Sequence, residues 1–428
     1  VRHKDIFPAR WPTDPLAGKG DVSGGSLLPF GNGRSYGDSC LNDGGSLIDA
    51  RPLDRFVSFD AQSGLLHCEA GVLLSEILAL TVPRGWFLPV TPGTQFVTLG
   101  GAIANDVHGK NHHRAGSFGN HVESLELLRS DGSRRHCSPG QNEGLFGATI
   151  GGLGLTGLIT RAGIRLKPVA GPFIDQALVP FASIHDFFAL AAGTDEQFEH
   201  TVAWVDCSAA GSSLGRGILM CGNHASRPST GESGSRHLLS IPVTPPVSLI
   251  GSWSLKLFNG LYFRLQRRKQ GRSQVHYRPF FYPLDNILSW NRIYGPRGFF
   301  QYQCAVPFGR GEAAIREMLE RIGRSGAGSF LAVLKRFGGI QSPGILSFPR
   351  QGYTLALDFP NHGDRTLSLL ESLDDVTREA GGAVYPAKDA RMSPESFQTY
   401  YPQWRVFAGH KDPAFSSSFW RRVTGEGG

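Results

Sequence analysis

Two glycine-rich stretches limit what this chain can fold into more than any other feature. PFGNGRSYGDS (Pro29 to Ser39) sets three glycines around Arg34, Ser35, Tyr36 and Asp38, and PGTQFVTLGGAIANDVHGK (Pro92 to Lys110) carries Gly93, Gly100, Gly101 and Gly109 in one long segment. Where no Cβ intervenes, successive backbone N–H groups approach closely enough to form an anion nest, and Ser and Thr hydroxyls add donors. That combination suits a pyrophosphate. Taken singly, either stretch is equally an ordinary run of tight turns. Glycine is abundant along the whole chain: its 56 occurrences in 428 residues are about twice the usual share of roughly 7%.

The length exceeds what one hydrophobic core supports, so two domains, or one with a large insertion, are expected. Hydrophobic residues make up 40% and charged residues 18%, with 28 Phe spread throughout, which excludes a disordered chain. The net charge of +7 (43 Lys and Arg against 36 Asp and Glu) is modest for this length and does not point to nucleic acid. Six cysteines (Cys40, Cys68, Cys137, Cys207, Cys221, Cys304) are scattered without a CxxC pair, the usage of free thiols in a reducing compartment. The opening VRHKDIFPARWP has no apolar h-region, so no signal peptide is expected. Residues 85–105 and 238–255 are uncharged and long, but their glycines and prolines argue against membrane-spanning helices.

Along the chain, short β-like runs (SLIDA, FVSF, LLHCEA, VESLELLRS, GLITRAGIRL) occupy residues 46–166, with a helix expected over Leu73 to Val82. Asp131-Gly132 reads as a hairpin turn. Beyond Pro168 come further strand candidates (TVAWVDC, GILMCG, FFQYQCAVP, SFLAVLKRF, YTLALDF) and helices over Gly311 to Ser325 and Arg365 to Ala380. The class is α+β. HASRPSTGESG (His224 to Gly234) has the profile of a mobile loop.

Three familiar patterns are set aside. GxGxxG at Gly152, Gly154 and Gly157 leads into the strand-like LITRAGIRL, whereas a dinucleotide site needs a helix there. GxSxG at Gly211, Ser213 and Gly215 lies between strand candidates and does not fit a nucleophile elbow. His108, His112 and His113 have metal-ligand spacing, but Gly109 and Asn111 weaken the helix that would present them. No metal is expected.

GNGRSYGD, PGTQFVTLGGAIANDVHGKNHHRAGSFGNHV and GLGLTGLITRA, in this order, resemble the FAD-binding domain of the vanillyl-alcohol oxidase / p-cresol methylhydroxylase superfamily. YPLDNILSWNRIYGPRGFFQYQ, SFLAVLKRFG, LSFPRQGYTLALDFP and YPAKDARMSPESFQTYYP extend the resemblance over nearly the whole chain, closest to the polyprenyl-phosphoribose 2-oxidase branch. The resemblance implies a two-part FAD-binding domain (residues 1–171 and 383–428) with a substrate domain on an antiparallel sheet (residues 172–382) inserted in it. The implied FAD contacts are Gly31, Asn32, Gly33, Arg34, Ser35, Tyr36, Gly37, Asp38 and Ser39, then Gly93, Thr98, Gly100, Gly101, Asn105 and His108, with Ile159 and Tyr385. Neither the His nor the Cys that links flavin in covalent members is present, so the FAD is expected to be non-covalent.

By the same resemblance, Lys110, Trp204, Gln301, Gln303, Lys335, Phe337 and Ala356 face the substrate, Ala356 standing where members of the family have cysteine. Lys388, Tyr36 and His108 are the candidates for removing a hydroxyl proton or stabilising the alkoxide. The implied activity is oxidation of a sugar CHOH to a ketone, on a glycosyl phospholipid such as polyprenyl-phosphoribose. The alternatives are a soluble sugar, cyclitol or alditol oxidase, or a non-catalytic flavoprotein that serves a reductase. A short-chain dehydrogenase partner would reduce the keto-sugar to the epimer. Finally, Leu255, Phe258, Leu261, Tyr262 and Leu265 recur at helical spacing beside Arg264, Arg267, Arg268, Lys269 and Arg272. This is the pattern of a segment (residues 247–272) that touches a membrane peripherally, here at the cytoplasmic face, or of a helix packed on its own domain.

Overall fold

The computed structural model describes residues 25–227 and 239–425 together with the short strand Ile6–Pro8. Of the polar segment expected to be mobile, residues 228–234 lie outside the described residues. The architecture is mixed α+β, built on antiparallel sheets.

The N-terminal region carries a five-stranded antiparallel sheet in the order Phe56–Asp60, Leu65–Glu69, Leu158–Arg165, Val122–Leu128, Arg134–Cys137. The last two strands are joined by the turn at Asp131-Gly132, where Gly132 takes φ 82° and Arg129 N–H donates to the Ser133 carbonyl at 3.0 Å. The helix Leu74–Thr81 buries Leu74, Ile77, Leu78 and Thr81 on one face. It starts where the Glu76 carboxylate accepts from Leu73 N–H at 2.6 Å, satisfying a donor the helix leaves unpaired. Beside this region Leu27–Phe30 and Ile6–Pro8 flank Ser46–Asp49 in a small parallel sheet.

The second sheet has eight antiparallel strands in the order Gly271–His276, Phe173–Phe181, Gly217–His224, His200–Val205, Val333–Phe337, Gly352–Pro360, Phe299–Val306, Ala383–Val384. Side chains alternate between the two faces of a strand, and here the faces differ in kind. One face (Ala203, Val205, Tyr302, Cys304, Leu334, Leu355) packs with the helices Ile184–Gln197, Phe308–Ser325 and Asp364–Glu379 in one core. The other face carries a row fixed by register: Ile218 opposite Trp204, Trp204 opposite Val333, Val333 opposite Ala356, Ala356 opposite Gln303. Lys335 opposite Thr354 and Gln301 opposite Asp358 lie beside it. This second face is the floor of the site.

The end of the chain returns to its beginning. Leu27 N–H donates to the Ala414 carbonyl at 2.7 Å and Ser416 N–H to the Leu27 carbonyl at 2.9 Å. From the helix Ser418–Thr424, Arg422 grips Asp38 through two nitrogens (2.7 and 2.9 Å) and Asp389 at 3.0 Å. A guanidinium held by two carboxylates and largely out of water is a strong clamp.

The apolar stripe expected over residues 255–265 lies on the helix Ser252–Arg268, and the packing divides it. Leu255 is buried and Tyr262 lies against Trp204, ring centroids 4.7 Å apart. Trp253, Leu257, Leu261 and Leu265, spaced by four, are exposed, as is Phe258 beside them. Among the described residues no helix is long and apolar enough to cross a membrane.

Candidate active site

A cavity of about 470 Å³ runs between the glycine loops and the open face of the large sheet. It takes in the sequence-predicted residues with three exceptions. Gly31, Asn32, Gly33, Arg34, Ser35, Tyr36 and Ser39 line it from the first loop, and Gly93, Thr98, Gly100, Gly101, Asn105, His108 and Lys110 from the second. Ile159, Trp204, Gln301, Gln303, Lys335, Ala356, Tyr385 and Lys388 complete the set.

Gly37, Asp38 and Phe337 stand behind the wall. At Gly37 a Cβ would lie 1.4 Å from the Asp389 carbonyl oxygen, so only glycine lets the first loop meet the C-terminal return. Asp38 faces Arg422, and Phe337 packs edge-on against His108 at 4.9 Å. The sequence reading did not include Gly154 and Gly157, which also line the cavity. Their GxGxxG pattern was the available signal, but the strand that follows it points to a different use of the same glycines. Tyr262 and Gln266 of the helix Ser252–Arg268 also reach the cavity; the sequence marks Tyr262 only as part of an apolar stripe and Gln266 not at all.

The two loops hold each other. Asn32 Nδ2 donates to the Phe96 carbonyl at 2.6 Å, and Thr98 Oγ1 accepts from Gly101 N–H at 3.1 Å. Tyr385 OH donates to the Asn105 carbonyl at 2.8 Å, tying in the C-terminal return. The amides of Asn32 to Ser35 find no acceptor among the described residues, and a Cβ at Gly93 would meet nothing within 4 Å. Unpaired amide donors beside an open glycine wall are what an anionic, elongated ligand requires. A dinucleotide such as FAD fits this cradle.

At the other end the chemistry is that of amines and amides. Desolvation lowers Lys388 to about 8, with nearby Asp358 pulling it partly back, and lowers Lys335 and Lys110 each to about 7. Three amines therefore share one cavity near their titration points. Lys388 Nζ lies 6.0 Å from the centre of the Tyr36 ring, and Tyr36 N–H donates to the Ala387 carbonyl at 2.9 Å. The Tyr36 ring is 43% exposed, open to the cavity, and desolvation raises its phenol further above its ordinary range. Burial raises Asp358 to about 6, although Gln301 Nε2 donates to it at 2.6 Å.

His108 is a buried neutral imidazole, held well below its ordinary pKa by desolvation and then by Lys335 and Lys388. Gln303 Nε2 lies 2.9 Å from His108 Nε2 and 3.0 Å from Thr354 Oγ1. With the amide donating to both, the imidazole proton sits on Nδ1 and the Gln303 carbonyl oxygen is left unpartnered. His112 packs at 4.5 Å against Phe337, the same ring that His108 meets, whereas His113 turns away to the Phe198 carbonyl at 3.0 Å.

A nucleotide-sized cradle that opens onto buried amines is the arrangement an FAD-dependent oxidoreductase requires. An FAD binding domain family matches residues 22–138, which hold both glycine loops. The chain is 38% identical over 419 residues to decaprenylphosphoryl-beta-D-ribose oxidase of Mycolicibacterium smegmatis, covering 94% of this chain and 90% of that one. It belongs to that oxidase family. It is also 34% identical over 372 residues to a Streptomyces coelicolor protein described only by its mprA 5' region, covering 82% of this chain and 100% of that one. A shorter likeness, 32% over 109 residues, links it to Delta(24)-sterol reductase of Homo sapiens, covering 26% of this chain and 21% of the reductase.

Proposed function

We propose that the enzyme oxidises a ring CHOH of a polyprenyl-phosphate-linked pentose to the ketone, using non-covalently bound FAD. The single observation that carries the substrate class is the trio Lys110, Lys335 and Lys388 in one largely apolar cavity, with Asp358 as the carboxylate beside Lys388. Desolvated amines gain most from an anionic ligand, and a glycosyl phosphate supplies one. Bound FAD supplies the hydride-accepting oxidant. Lys388, as the free amine, takes the hydroxyl proton, with the Tyr36 phenol beside it. Gln303, oriented by His108, presents its free carbonyl oxygen to a sugar hydroxyl, and Lys335 donates to another. The reading also divides the chain into residues 1–171 with 383–428 for FAD and residues 172–382 for the substrate.

The test is an anaerobic panel of glycosyl phospholipids, free sugars, cyclitols and alditols, followed at the flavin absorbance. Bleaching by the lipid-linked pentose alone is expected, and bleaching by a free alditol at equal rate would assign the soluble-substrate alternative. Acid precipitation is expected to leave a colourless pellet and release all FAD to the supernatant. Flavin that remains with the polypeptide would show a covalent link.

A lipid-linked substrate must be met at a bilayer, and the exposed row Trp253, Leu257, Leu261 and Leu265 sits on the helix whose Tyr262 and Gln266 reach the cavity. With the exposed Arg264, Arg267, Arg268, Lys269 and Arg272 alongside, this helix is the proposed peripheral contact, each basic residue adding up to about 1 kcal/mol on anionic lipid. The wild type is expected to float with anionic liposomes at low salt, and a variant with Arg267, Arg268 and Lys269 changed to Glu is expected to stay unbound. Equal recovery in the unbound fraction would leave only a packed helix. The keto-sugar product calls for a carbonyl-reducing partner of the short-chain dehydrogenase class.

A further inference from the structure

Apart from the cavity, the large sheet brings together a second group of chemistry-bearing side chains. His200 pairs with Gly222 across the antiparallel strands His200–Val205 and Gly217–His224, so His224, two residues on from Gly222, shares the face of His200. Their rings lie 5.6 Å apart. His200 is 4% exposed, and both ring nitrogens of both histidines lack a hydrogen-bond partner among the described residues. Buried polar atoms are rarely left so, and two adjacent rings without a partner call for a ligand.

Glu199 supplies the third group. One ligand atom from each of Glu199, His200 and His224 can be chosen so that all lie within 4.8 Å of one another. Lys167 pairs with Glu199 Oε2, leaving Oε1 at 3.5 Å from His200 Nε2 and 3.4 Å from Asn111 Nδ2. A neighbouring ammonium opposes a cation, but Lys167 is on the second carboxylate oxygen and its side chain is 26% exposed, so it can withdraw to solvent. Of the other basic groups near His200, Lys110 Nζ bonds the Phe280 carbonyl and His113 Nε2 contacts the Phe198 carbonyl, while Arg114, farther out, is committed to the Asp195 and Glu196 carbonyls. A second cavity lined by Arg114, Glu196, Glu199 and Asn223 reaches the Glu199 side of the group.

We propose that Glu199, His200 and His224 form a divalent transition-metal site, with zinc the best-matched ion. Two neutral imidazoles and one carboxylate, with water in the fourth position, form a ligand set that zinc favours. A tetrahedron with bonds of about 2.0 Å sets its donors roughly 3.3 Å apart, so the two rings and Glu199 would turn inward on binding the ion. The ion would pin two central strands of the large sheet next to the substrate cavity. Thr201 N–H, one residue from His200, donates to the Lys110 carbonyl at 2.8 Å.

The test uses untagged, FAD-loaded enzyme stripped with EDTA, dialysed free of chelator and titrated with zinc chloride against a chromophoric competitor. One equivalent bound at micromolar free zinc or below is expected. His224→Gln and His200→Gln should each weaken that binding at least tenfold, and zinc should raise the thermal midpoint of wild type but not of His224→Gln. If His200→Gln fails to fold, His224→Gln decides alone. A wild type that takes up no zinc at micromolar concentration, or a His224→Gln protein that takes it up unchanged, overturns the proposal.

Discussion

Lys388→Ala is expected to slow reduction of the bound flavin by substrate at least about tenfold, and by 10²- to 10⁴-fold if the amine is the proton acceptor. FAD should remain bound, because the substitution leaves the unpaired amides of Asn32 to Ser35 and the open wall at Gly93 in place. The pH dependence separates the two electrostatic roles open to this lysine. Burial places it at about 8. If the free amine takes the proton, the rate of flavin reduction rises as pH passes upward through 8 and then levels. If the ammonium instead stabilises negative charge, the rate falls over the same range. Anaerobic stopped-flow measurement from pH 6.5 to 9.5 reads the sign directly, and a profile unchanged in Lys388→Ala would remove this residue from the reaction.

Gly37→Ala is the second substitution with a large expected effect, and its cause is steric. The new methyl would sit 1.4 Å from the Asp389 carbonyl oxygen, a backbone atom that cannot step aside as a side chain could. Relief requires the first loop to part from the C-terminal return, which strains the Tyr36 to Ala387 hydrogen bond and the Arg422 clamp on Asp38 and Asp389. A loss of about 2 kcal/mol or more is expected. The variant should also lose FAD on gel filtration, and chemical denaturation should show its unfolding midpoint lowered. Gly140→Ala, where a Cβ meets nothing within 4 Å, is the control and should match wild type.

Much of the fold was legible because alternation and turns are local. VESLELL, the Asp131-Gly132 turn and LITRAGIR each announce their structure within a few residues. The cavity wall was legible mainly through resemblance, since Gln301, Gln303, Lys335 and Ala356 acquire meaning only when strand register sets them side by side. The same dependence on register hid the Glu199, His200 and His224 group: 24 positions separate His200 from His224, and the pairing of His200 with Gly222 joins them. The helix Ser252–Arg268 shows a different limit. Its sequence displays one apolar stripe, but only the fold decides that Leu255 turns inward while Leu261 and Leu265 face out.

The grip of Arg422 on Asp38 and Asp389 has a consequence for how the molecule is made. The loop at residues 31–39 leaves the ribosome long before its partners Ala387, Asp389 and Arg422. It therefore waits, incomplete, until they emerge. A finished cradle exists only once Arg422 has emerged, so a nascent chain halted before that residue is expected to hold FAD poorly.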